Sequence, residues 1–211
     1  MTITIFGASG QVGKQLITHA LAAGHTVRAF GRNVESMLDR DFNNPDFSVI
    51  KGYVFDEAEV KGALQGADAV LSALGGAADG SDKSRSLGMK NIVKQMQATG
   101  CKRIVSVGNL GSLQPGGGEY MVKLPSYPKQ FIAVGLEHVA AYEVLKASGL
   151  TFTFACPPDL IDKDADGKYT VLAEALPPTW EVYTGNLALF MVKEVTANQF
   201  PNQRVGISNA E

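Results

Sequence analysis

The chain has 211 residues, 45% of them hydrophobic and 19% charged, with a formal net charge of −2; this is the size and composition of one globular domain. That charge balance, with no basic run, argues against nucleic-acid and anionic-membrane partners, and no apolar stretch reaches the roughly 18 residues of a membrane span. Cys101 and Cys156 stand apart with no CxxC or Cys/His cluster, so neither a metal centre nor a disulfide framework is expected.

No charged-then-apolar leader precedes Thr2, so a cytoplasmic location is expected. Thr2 to Phe6 is β-branched and aromatic and reads as a buried strand. Gly7-Ala8-Ser9-Gly10-Gln11-Val12-Gly13 follows at once, and Val12, Leu16, Ile17, Ala20 and Leu21 recur at helical spacing. A helix therefore begins inside the glycine motif. Gly24 closes it, and Thr26 to Phe30 is a second strand ending at Gly31-Arg32-Asn33. A short helical stretch near Val34 to Asp41 and a loop at Asn43 to Asp46 lead to a third strand, Phe47 to Lys51. Asp56 occupies an N-cap position before a helix marked by Val60 and Leu64.

Ala69 to Leu74 is a fourth strand, ending in Gly75-Gly76. After the polar loop Ala77 to Ser84, Met89, Ile92, Val93 and Met96 mark a long helix closed by Gly100, and Arg103 to Val107 is a fifth strand. Periodicity fails from Gly108 to Pro128, and an irregular loop of that length in a compact domain is a candidate substrate loop. Ile132, Leu136, Val139 and Ala140 mark the next helix and Thr151 to Ala155 a sixth strand. A short extended piece at Lys168 to Leu172, a helix carrying Leu187, Phe190, Met191 and Val195, and a strand at Gln203 to Ile207 complete the chain. Apolar strands alternating with helices predict an α/β Rossmann fold over residues 1–211 as a single domain: a doubly wound, mainly parallel sheet with helices on both faces.

A strand, a glycine turn, a helix and a second strand form the context that a dinucleotide fingerprint requires. Gly7 permits the tight turn, Gly10 removes the Cβ that would keep a pyrophosphate away, and Gly13 lets helix and sheet pack closely. The free amides and dipole at the helix start then favour phosphate. Ligands in such sheets lie at the C-terminal ends of the strands. The expected cofactor residues are therefore Gly7, Ser9, Gly10, Gln11 and Val12; Arg32 and Asn33; Tyr53 and Val54; Leu74 and Gly75; Gly108; and Pro157. An acidic residue after the second strand would accept the ribose hydroxyls of NAD; Arg32 stands there instead, which favours NADP(H) over NAD(H).

Tyr142 and Lys146 have the Tyr-x-x-x-Lys spacing of ketone-reducing dehydrogenases. Yet Tyr142 falls about 16 Å down its helix at 1.5 Å per residue, away from the cofactor edge. The better-placed catalytic candidates are His138, Asn109 and Asp159, which form no recognisable acid–base set. His138 is either packed or catalytic, and Asn109 either bonds a ligand or turns the chain. Tyr120 and Tyr127, in the irregular loop, are candidate substrate contacts.

Ile5 to Gly13, the Gly66-Ala67-Asp68-Ala69-Val70 approach to Leu74-Gly75, and Ser148-Gly149-Leu150 with Pro157-Pro158 resemble the atypical short-chain dehydrogenases of the NmrA-like group. The resemblance spans nearly the whole chain, and within that group it is strongest to the biliverdin IXβ and NADPH-flavin reductases and the bacterial NADH-flavin reductases. It implies that Arg32 meets the adenosine phosphate, that Leu74 and Gly75 line the cofactor, and that His138 matches a family histidine. The chain departs from the family at Tyr53, where a carboxylate is usual, at Gly108-Asn109 in place of Thr-Ser, and at Asp159 in place of a histidine. The implied activity is NADPH-dependent hydride transfer to a flat conjugated small-molecule acceptor, flavin, quinone or similar, whose anion solvent can protonate. The alternative is an NADP(H)-binding redox sensor without turnover.

Overall fold

In the computed structural model, residues 1–34, 44–77 and 79–210 are described. The first strand, β1 (Thr2–Phe6), leads into α1 (Gln11–Ala22), β2 (Thr26–Gly31) and β3 (Phe47–Lys51). Helix α2 (Glu57–Leu64), β4 (Ala69–Ser72), α3 (Ser86–Thr99) and β5 (Arg103–Val107) follow. After three short 3-10 turns between residues 110 and 123 and a fourth at 129–131 come α4 (Ile132–Lys146), β6 (Thr151–Cys156) and β7 (Asp159–Ile161). The chain closes with β8 (Tyr169–Ala173), β9 (Glu181–Tyr183), α5 (Thr184–Ala197) and β10 (Gln203–Asn209). The main sheet runs β3-β2-β1-β4-β5-β6-β10-β8, parallel except where β8 meets β10.

Two apolar layers sandwich this sheet, and β1 shows why its sequence demands both. Ile3 and Ile5 face α1 and α5, packing with Leu16, Ile17, Leu187 and Met191. Phe6 points the other way, among Phe30, Val70, Met89 and Ile104. Each of these fully buried side chains contributes about 1.5–3 kcal/mol by leaving water. Thr4, buried on the Phe6 side, meets its polar obligation by donating its hydroxyl to the Ala63 carbonyl at 2.8 Å.

The helix signals act as their chemistry requires. Asp56 Oδ1 accepts the Glu59 amide at 2.9 Å and caps α2, while Gly100, at φ 79°, ends α3 in the left-handed region. Beyond the predicted elements, β7 and β9 form a small second sheet; three residues are too few for a period-2 pattern to stand out. The expected helix near Val34 to Asp41 lies outside the described residues after Val34. Among the described residues no helix is long and apolar enough to cross a membrane.

The strand order reverses at β1, whose neighbours are β2 and β4. Chain leaving β1 and chain leaving β4 therefore diverge, and a crevice opens at their C-terminal ends.

Candidate functional site

A cleft of about 250 Å³ occupies that crevice. Gly7, Ser9 and Gly10 form its floor, Arg32, Tyr53 and Val54 one side, and Leu74 and Gly75 the other. The three motif glycines have different reasons. A Cβ on Gly7, at φ +76°, would stand 2.3 Å from the Ala73 oxygen, and one on Gly13 would stand 2.2 Å from the Gly7 oxygen; both are demanded by packing. A Cβ on Gly10 would meet only the Gly7 oxygen, at an ordinary 3.4 Å. Among the described residues no atom requires that glycine; what it leaves open is the cleft above it. Helix α1 also starts at Gly10 with no side-chain cap, so its first amides have no partner within the helix. An uncapped, Cβ-free helix start facing a cleft fits a pyrophosphate.

At the far end of the cleft the Arg32 guanidinium lies 5.9 Å from the centre of the Tyr53 ring. Asp82 and Ser84 enter the same cleft from the loop after β4, and the sequence carried no signal for either. Asp82 Oδ1 accepts the Ser84 amide at 2.7 Å. Hydrogen bonds from Ser84, then the positive charges of Arg32 and Arg85, hold its carboxyl below the ordinary range. Arg85 steadies the loop by donating to the Gly76 carbonyl at 3.0 Å and the Ala77 carbonyl at 3.3 Å. Gly76 makes room, since a Cβ there would lie 2.7 Å from Asp82 Cγ.

Other expected cofactor residues have their side chains elsewhere. Gln11 donates its side-chain amide to Asp162 at 3.2 Å, and Val12 belongs to the core beneath α1, leaving only their backbone for a ligand. Asn33 stands beside Arg32 but outside the cleft lining. Gly108 is buried and lines neither opening; a Cβ there would lie 2.2 Å from the Phe154 ring, so close packing accounts for it.

A second, larger cavity of about 530 Å³ opens at the ends of β5 and β6. Asn109, Tyr127, Pro157 and Asp159 line it, with Phe131 at the start of α4 and Trp180 before β9. The Tyr127 ring forms wall while its hydroxyl turns inward, 2.8 Å from where a Cβ on Gly111 would stand and 3.3 Å from one on Gly135. Burial raises the Tyr127 phenol, partly offset by a hydrogen bond with Asn109. Asn109 in turn accepts the Ser112 hydroxyl at 3.2 Å. These groups brace the loop rather than form a proton relay into the cavity.

The loop is also held from beneath. Arg204 on β10 donates to the Ser112 carbonyl at 2.8 Å and Gln114 Oε1 at 2.9 Å, and pairs with Glu174 at 2.5 Å. Its guanidinium lies 4.5 Å from the Tyr142 ring centre. Tyr142, 5% exposed, is thus a core residue packed on Phe152 and Phe154 and lines neither opening. Tyr120 does not reach the cavity either: its hydroxyl donates to Glu143 and its ring packs on Tyr142.

His138 lines neither opening. It is buried, its Nδ1 has no hydrogen-bond partner, and burial, reinforced by Arg85, pulls it down to about 3. The ring is neutral at physiological pH and is no imidazolium acid. The native state disfavours the proton that the unfolded chain accepts near 6.5. Its contribution to stability is therefore fully present above about pH 6.5 and is lost as pH falls from there toward 3. We expect His138→Leu to remove that part of the acid sensitivity, flattening the urea midpoint between pH 6.5 and 4.5; an unchanged slope would assign it to other groups.

A family model for NAD(P)H-binding proteins matches residues 7–198. Over the full length of both chains the sequence is 23% identical to YwnB of Bacillus subtilis strain 168, across 222 aligned residues. A Burkholderia pseudomallei protein described as exported superposes with a TM-score of 0.83 at 27% identity, covering 99% of each chain. A candidate NADH-flavin reductase from Streptococcus pneumoniae gives 0.84 at 23% identity, again over 99% of each. A Veillonella parvula short-chain dehydrogenase/reductase in complex with NADP gives 0.76 at 20% identity, covering 99% of this chain and 94% of that one. The last two are likenesses of fold. The match of the family model, running from the glycine turn through β2 to α5, makes the chain a member of the NAD(P)H-binding family.

Proposed function

We propose that the protein is an NADPH-dependent oxidoreductase that passes a hydride to a flat conjugated acceptor such as a quinone or flavin. One observation carries this reading: a cofactor-type cleft and an apolar cavity open side by side along one edge of the sheet, over β1–β4 and over β5–β6. The glycine turn and α1 would hold the pyrophosphate, and Arg32 with Tyr53 the adenosine end. When bound, NADPH supplies the hydride. The remaining work belongs to the protein: Pro157, Trp180 and Phe131 offer flat apolar surface that would orient a ring, and the braced loop keeps that wall in place. A conjugated acceptor needs no dedicated proton donor, in keeping with a neutral, buried His138 and an inward-turned Tyr127.

The test is oxidation of NADPH, followed by its absorbance, with menadione and with riboflavin. Turnover with either supports the reading. Tight NADPH binding without oxidation by saturating acceptor overturns it and leaves a nucleotide-sensing protein.

A further inference from the structure

The cavity at β5 and β6 is nearly devoid of charge. Phe131, Trp180, Tyr127, Met121, Pro157 and Pro158 make its wall, and Asp159 is the one charged side chain among the described lining residues. Among the described residues no cation lines it. The nearby lysines lie elsewhere: the Lys123 ammonium is 6.0 Å from the Tyr120 ring centre and that of Lys163 is 4.2 Å from the Tyr183 ring centre. Lys129 is exposed and outside the lining. Arg204, under the loop, is engaged by Glu174 and by the Ser112 carbonyl. A phosphate or carboxylate entering here would lose water, find no charge-assisted partner and meet the Asp159 carboxylate. A neutral ring loses nothing comparable and gains apolar and aromatic contact.

Resting on the reductase reading, we infer that the acceptor is a planar carbonyl compound without anionic groups: a quinone or an unphosphorylated isoalloxazine, in preference to flavin mononucleotide. The reaction balances without a further reactant. Two electrons and one proton leave NADPH as hydride, NADP+ remains, and the reduced acceptor takes its second proton from water.

Trp180 is the sole tryptophan of the chain and is 64% exposed at the cavity. Quenching of its fluorescence therefore reports occupancy directly, without cofactor or turnover, and Trp180→Phe supplies the blank. Riboflavin and flavin mononucleotide share one ring and differ by a phosphate. We expect riboflavin to bind about fivefold tighter at low ionic strength, with the gap closing as salt screens Asp159. Asp159→Asn should bring the ratio toward one; a ratio it leaves unchanged overturns the role given to Asp159. Flavin mononucleotide binding as tightly as riboflavin, or no quenching by riboflavin and menadione alike, overturns the inference. If riboflavin binds selectively while NADPH is not oxidised, the reductase reading fails and the selectivity stands.

Discussion

Arg32→Ala is expected to weaken NADPH binding by about ten- to a hundredfold, the range of a charge-assisted hydrogen bond worth about 1.5–3 kcal/mol, and to weaken NADH binding far less. The 2′-phosphate carries about −1.5 to −2 charges at neutral pH, and Arg32 is the one cation among the described residues lining the cleft. Asp82 complicates the site in an informative way. Its carboxylate lines the same cleft, fixed by Ser84 and influenced by the Arg32 charge, so it repels a phosphate that Arg32 attracts. Asp82→Asn should therefore shift the balance oppositely, toward NADPH. Both are measured by titrating each nucleotide against wild type and variant. Equal losses of NADPH and NADH affinity in Arg32→Ala would remove the case for NADPH preference.

Asp82 also marks the limit of what could be read from the chain. The parallel sheet was legible because its strands are short apolar runs bounded by glycine, and β3 and β5 begin and end where their sequence patterns do. The glycine turn was legible because a tight turn and a close helix contact admit only glycine at Gly7 and Gly13. Asp82 lies in an aperiodic loop, where nothing local tells whether a carboxylate faces a ligand or solvent; only the fold of the loop onto Gly76 decides that. The same blindness affected the candidates at the β5 end. Gly108 looks like a ligand-facing glycine until the Phe154 ring appears beside it, and Tyr120 looks substrate-facing until Glu143 and Tyr142 take it. His138 failed differently: helical spacing gives the face of a residue but not the charge its surroundings allow, and full burial keeps it neutral.

The glycine turn offers the sharpest separation of function from stability, because two glycines three residues apart should fail in opposite ways. At Gly13 an alanine gains about 1 kcal/mol of helix propensity, but its Cβ would lie 2.2 Å from the Gly7 oxygen and 2.7 Å from Ala8 Cα. Those are backbone atoms, which cannot rotate aside, so α1 must shift away from the turn that follows β1. Overpacking of this kind costs about 1–3 kcal/mol or more, which exceeds the propensity gain. We expect Gly13→Ala to lower the melting temperature by several degrees. Gly10 has φ −73° and ψ 170°, a conformation any residue adopts, and its Cβ would meet nothing closer than 3.4 Å. Gly10→Ala should therefore cost no more than the loss of a modest N-cap preference, below about 1 kcal/mol. Its methyl group would project over the uncapped start of α1, where a pyrophosphate must approach the backbone amides, and NADPH affinity should fall by about tenfold or more. Thermal denaturation and nucleotide titration on the same two variants give a crossed result: Gly13→Ala less stable, Gly10→Ala nearly as stable as wild type but weaker for NADPH. A Gly10→Ala protein that binds NADPH like wild type would mean that the pyrophosphate does not lie on this turn.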